Sequence, residues 1–230
     1  MDDFGNIRIK GNNQQKQALK ETFKDVKQYC DPNTAKQIEN VDYIFKKLPV
    51  GRSGQVIRDG SKYIVELPSE SFTKTDSDTR EGTLCHELSH VEWSKKRNNP
   101  YFLPSKENEL NAFSKEASSL KNFHEDRDKK PVKDNYPISP ENNILNELAK
   151  INKEFDKKTR YYNKKFNDSI SSKEDIMKDL NTNPTYRCLP EKEPTSEVDY
   201  EMAIRKNNAC ENINTIKDFI TSIFKSKKSN

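Results

Sequence analysis

The chain has 230 residues, of which 31% are hydrophobic and 34% charged, and a formal net charge of +4. That length holds one domain with a helical appendage, and so little apolar material excludes a core running through all of it. Near-balanced charge, with Lys and Asp/Glu alternating along most of the chain, gives no case for nucleic-acid binding.

No apolar run reaches the length of a bilayer span, and Met1-Asp2-Asp3-Phe4 opens without the apolar segment of a cleaved secretory signal. These features predict a soluble monomer made in a cytosol, either staying there or exported into a host or target cell by a dedicated secretion system. Cys30, Cys85, Cys188 and Cys210 show no C-x-x-C spacing, so a cysteine zinc site is not expected. Free thiols are the cytosolic default, with Cys188 and Cys210 able to pair under oxidising conditions. Cys85 reads as a packing residue.

Residues 13–30 carry Ala18, Leu19, Phe23 and Val26 at helical spacing. After the break Asp31-Pro32-Asn33-Thr34, the pattern Ile38, Val41, Ile44, Phe45 and Leu48 predicts a second helix, ended by Pro49. The period then becomes alternating. Residues 55–58 and 62–67 read as two strands of a hairpin around Asp59-Gly60. A polar loop follows to Asp78, then a helix over 79–97, a break at 98–104, and a helix that Ser105 caps and that runs to about 122. Residues 125–140 read as a charged, proline-marked loop. Helices are expected over about 141–166, 172–180 and 208–226. The last has Ile216, Phe219, Ile220, Ile223 and Phe224 on one face and a basic tail, Lys225 to Lys228, and is expected to dock on its own core.

The chemistry concentrates in the helix over 79–97, at His86-Glu87-Leu88-Ser89-His90. Histidines at i and i+4 lie one turn apart on one helix face, and Glu87 is turned about 100° from His86. This spacing places two imidazoles on a zinc ion and a carboxylate beside it, able to take a proton from water and deliver it to a leaving amine. Leu84, Leu88 and Val91 lie opposite, so the histidine side faces a cleft or a second layer. The bland alternative is a pair of surface histidines on an ordinary helix.

Catalytic zinc takes three protein ligands and keeps an open position. The candidates for the third are Glu109 and Glu107, with His124 an outsider. If Leu110, Phe113, Ala117 and Leu120 mark the buried face of the next helix, Glu109 projects about 50° from it and Glu107 about 110°. Glu109 is therefore favoured, with Glu107 left open. Candidates for a donor to a developing oxyanion are His124, Tyr161, Tyr162, Tyr186, Arg187 and Tyr200. Trp93 lies on the histidine side and is a candidate cleft wall.

H-E-L-S-H followed after 19 residues by Glu109-Leu110-Asn111-Ala112-Phe113 resembles the gluzincin metallopeptidases, whose third ligand is a glutamate on the next helix. Glu107-Asn108-Glu109-Leu110 is also similar to the NleD-like group of bacterial effector and toxin proteases, although the chain lacks a Glu-Glu-x-x-Thr-Val-Gly element. The likeness covers roughly residues 55–122. It implies an α+β, mostly helical fold. In that fold a zincin-like core over 1–125 carries a small antiparallel sheet on the H-E-x-x-H helix; the helical periods further on, outside the likeness, predict a helical extension over 126–230 packed on the core. It further implies Zn2+ held by His86, His90 and Glu109, Glu87 as the catalytic base, and a protein or peptide substrate aligned along an edge strand at Tyr63–Leu67. The alternatives are an interaction module on a zincin fold that no longer catalyses, and a hydrolase of another amide.

Overall fold

The computed structural model describes residues 4, 7–49, 52–99, 102–129, 173–183 and 186–210. Its elements are β1 (Ile9–Lys10), α1 (Asn13–Tyr29), α2 (Pro32–Ala35), a 3-10 turn at Lys36–Asn40, β2 (Val41–Lys46), β3 (Gln55–Asp59), β4 (Lys62–Pro68), a 3-10 turn at Phe72–Lys74, α3 (Ser77–Arg97), α4 (Lys106–Lys129) and α5 (Lys173–Thr182). Residues 197–210 are also helical. The architecture is thus mixed α/β and mostly helical, around one four-stranded sheet.

Local chemistry accounts for the ends of these elements. Asn12 and Gln15 form a reciprocal capping box at the start of α1. Asp31 accepts from the backbone of Asn33 and Thr34 at the start of α2. Gly60, with φ 59°, occupies the first position of a two-residue turn between Asp59 and Lys62, where a left-handed residue is needed. α3 ends on Asn98 in the left-handed region, φ 50°.

The helix expected over Ile38 to Leu48 is not formed. Its first part is the 3-10 turn and its second is β2, an interior strand. The apolar spacing fits either period, but Val41, Tyr43, Ile44 and Phe45 are β-branched or aromatic, and both neighbours in the sheet are available to pair with them. Val41 and Tyr43 point into the core at 5% and 0% exposure.

The sheet order is β1-β2-β4-β3. β1 and β4 run parallel to β2, and only β3 and β4 form an antiparallel pair, so the sheet is mixed and not antiparallel as expected. The expected edge strand is also displaced by one. β4, which holds Tyr63–Leu67, is interior, and β3 is the edge. Leu19, Phe23 and Val26 of α1 and Leu84, Leu88 and Val91 of α3 share one buried cluster with Val41, Tyr43, Val65 and Leu67 of the sheet. α4 packs on α3 and α1, and α5 on α4.

The cysteines pair: Cys188 with Cys210, the pair named for oxidising conditions, and Cys30 with Cys85, which was not expected, with Cα atoms 6.2 and 6.3 Å apart, so the default of free thiols does not hold. The reading rested on a presumed compartment, whereas the fold brings the C-cap of α1 against α3. α4 also runs on through 125–129, where a loop was expected. The expected helix over 141–166 and most of the C-terminal one, with its apolar face and basic tail, lie outside the described residues. No helix among the described residues is long and apolar enough to cross a membrane.

Candidate metal centre

α3 is buried nearly all round from Glu81 to Val91, because the sheet and α1 cover one side and α4 the other. His86 and His90 therefore face α4, at 8% and 4% exposure, with ring centroids 4.8 Å apart. Glu109, 5% exposed in the first turn of α4, meets both. Its Oε2 lies 3.3 Å from His86 Nε2 and its Oε1 3.7 Å from His90 Nε2. One ligand atom from each of the three residues falls within 4.8 Å of the others, so the buried His-His-Glu group can hold a metal ion.

The outer nitrogens bear on whether a metal fits. His86 Nδ1 lies 3.0 Å from Glu116 Oε2, and His90 Nδ1 bonds to Asn108 Oδ1. Carboxylate and amide oxygens accept, so each Nδ1 carries a proton and each Nε2 is the atom turned to Glu109, where a metal would take the place of a proton. Outer acceptors holding a ligand histidine in this tautomer are the usual support of a metal site. The electrostatics agree. Burial disfavours a charged His86, yet hydrogen bonds and charge from Glu109 and Glu116 outweigh it and hold its pKa up at about 10. Two buried carboxylates thus draw positive charge to this point, which a divalent cation supplies.

Glu87, 6% exposed, lines the same cleft as His86, His90 and Glu109. The cleft is also lined by Gly54, Gln55, Val56 and Ile57 of β3 and its lead-in, by Phe102, Leu103 and Pro104 between α3 and α4, and by Tyr186, Leu189 and Asn207. Gly54 is needed for close approach, since a Cβ there would lie 2.8 Å from Glu87 Oε1 and 2.9 Å from its Cγ.

Glu107 is kept out of this group. It is half-exposed and pairs with Arg97 at 3.2 Å. Of the oxyanion-donor candidates, Tyr186 lines the cleft, its ring 5.7 Å from that of Phe113. Arg187 and Tyr200 are not among the lining residues, His124 belongs to the last turns of α4, and Tyr161 and Tyr162 lie outside the described residues. Trp93 does not wall the cleft and is stacked under the Arg97 guanidinium, 4.0 Å from its ring centre.

Sequence reasoning missed Asn108, Glu116, Glu81 and Gly54. Glu116 lies seven residues after Glu109, on the same helix face, which is the one signal that pointed to it. Glu81 is fully buried and accepts from Ser119. Burial raises its pKa to about 8, against the pull of that hydrogen bond and with help from the nearby Glu116, Asp25 and Asp78.

No family model matches the chain, and neither a curated protein nor a solved structure does. The reading of the site rests on its own geometry.

Proposed function

We propose that the protein is a zinc-dependent metallopeptidase of gluzincin type that cleaves a protein or peptide substrate. The observation that carries this reading is the buried His86, His90 and Glu109 group, with both Nε2 atoms turned to one carboxylate and Glu87 in the same cleft. Two imidazoles and one carboxylate suit zinc and leave a position open. Bound zinc would supply Lewis acidity toward a peptide carbonyl and toward water.

The chain's own residues do the rest. Glu87 takes a proton from the attacking water and passes it to the leaving amine nitrogen. Its burial against Gly54 in a cleft that β3 closes keeps the carboxylate close to the reacting atoms. The edge of β3, at Gln55–Asp59, beside which no further strand lies among the described residues, offers its outer backbone groups to an extended peptide, which adds as a further strand. The export into a host or target cell that the effector-like motif implies belongs to the same proposal.

The test is Glu87→Gln. Metal analysis of wild type and variant is expected to give one zinc per chain in both, and the variant is expected to lose cleavage of a proteome-derived peptide library by at least about 100-fold. A variant that cleaves as wild type does would sink the mechanism. Wild-type protein that takes up no zinc would sink the metal centre.

A further inference from the structure

We propose that Glu193, in the C-terminal half of the chain, is a positioning residue of the metal centre, acting on His90 through Asn108. This rests on the metal-centre reading above. Asn108 is buried at 1% exposure and bridges two groups, its Oδ1 to His90 Nδ1 and its Nδ2 donating to Glu193 Oε1 at 3.1 Å. Glu193 is itself buried, at 8%. Among the described residues its Oε2 has no hydrogen-bond partner, so the Asn108 amide is the contact that offsets its burial.

The direction of the amide is what matters. A carboxylate only accepts, so Glu193 draws the NH2 end of Asn108 toward itself and leaves the oxygen for His90. That oxygen requires a proton on Nδ1, which leaves the Nε2 lone pair for the metal. With the amide turned the other way, its NH2 would meet Nδ1, the ring proton would move to Nε2, and the ligand atom would be blocked. Glu193 thus selects the tautomer of His90 from two bonds away.

Its segment is fastened on both sides. The backbone N–H of Lys106 donates to Pro190 O at 2.8 Å and that of Glu107 to Glu191 O at 3.1 Å, so the segment also satisfies the open first turn of α4. Beyond it, Asn99 Nδ2 donates to Pro194 O at 2.9 Å. Lys106 Nζ reaches Glu191 Oε1 at 2.7 Å. The position of Glu193 is set by the start of α4 and by Asn99 just past the end of α3, and these two helices carry the ligands.

The experiment uses the full chain, with zinc affinity measured by competition against a chromogenic chelator and the cobalt(II)-substituted absorption spectrum as the signature of ligand geometry. Glu193→Ala is expected to weaken zinc binding about 10-fold or more and to change the cobalt spectrum. Glu193→Gln, which keeps an acceptor oxygen, is expected to restore most of both. Asn108→Ala combined with Glu193→Ala is expected to bind no more weakly than Asn108→Ala alone, as a residue acting through Asn108 requires. Glu193→Asp, which retracts the carboxylate by one methylene, serves the same reading if the alanine variant does not fold. Wild-type affinity and an unchanged spectrum in these variants would overturn the role of Glu193 and leave the metal centre standing, whereas wild-type protein that binds neither ion overturns both.

Discussion

Glu81 occupies a fully buried position between α3 and α4, bonded to Ser119 and close to the carboxylate that holds His86. A carboxyl group there is retained in its neutral form at a real cost in charge solvation if it ionises. Its pKa of about 8 in the folded chain lies above the ordinary 4.5. Between these values the folded chain keeps a proton that the unfolded chain has released. The associated stability is fully present below pH 4.5 and is lost as pH rises toward 8. Glu81→Gln removes the titration and preserves the shape. Urea unfolding at pH 5, 7 and 8.5 is expected to show the wild type losing stability on the order of a few kcal/mol more than the variant over that range. Parallel pH profiles for the two proteins would mean that Glu81 is already ionised in the fold.

At the scale of elements, the α3–α4 contact explains both what the sequence disclosed and what it hid. His86, Glu87 and His90 were legible because helical spacing is local and needs no knowledge of the fold. Glu109 followed from the phase of the next helix, yet the face assumed for that helix was only partly right. Leu110 and Phe113 pack with Ile176 and Leu180 of α5, while the side turned to α3 carries Asn108, Glu109, Ala112, Glu116 and Ser119. Polar residues of these types are ordinarily exposed, so an apolar pattern cannot mark the face they share. They are buried because each finds a partner on α3: Glu109 and Glu116 at His86, Asn108 at His90, and Ser119 at Glu81. Such a contact needs the helices close. Gly82 provides this, since a Cβ there would come within 3.0 Å of Leu120 Cδ1. Gly82→Val is expected to destabilise the chain by about 1–3 kcal/mol and, by moving Glu109 off the histidines, to weaken zinc binding. Adding Leu120→Ala should return part of the affinity while lowering stability further. Thermal melts and chelator competition on the two variants separate these effects.

For the whole molecule, the order of the strands and the pairing of the cysteines were not legible, since both depend on which distant segments meet. Ile38 to Leu48 reads as helix until β1 and β4 are there to flank it. Cys85 reads as packing until the end of α1 lies against it. These long-range choices leave α3 held on two sides by different means. The Cys30–Cys85 bridge fastens the sheet side, and the His86, His90 and Glu109 group fastens the α4 side. The bridge spans 55 residues of sequence, including β2, β3 and β4, and a closed loop of that length lowers the entropy of the unfolded chain by about 4 kcal/mol at 25 °C. On the proposed zinc reading, zinc at about a thousand times its dissociation constant would contribute a similar amount, about 4 kcal/mol. The two act through different partners on opposite sides of α3, so their contributions are expected to add to within about 0.5 kcal/mol even though Cys85 and His86 are adjacent, where coupling is common. The double variant Cys30→Ala/Cys85→Ala is the suitable probe, as thiol reductants themselves bind zinc. Urea unfolding of wild type and double variant, each with zinc and with EDTA, is expected to give two losses that sum in the fourth sample. A zinc effect that disappears in the double variant would instead mean that the bridge next to His86 holds the ligand turn of α3 in place, making the sheet side and the metal side one cooperative unit.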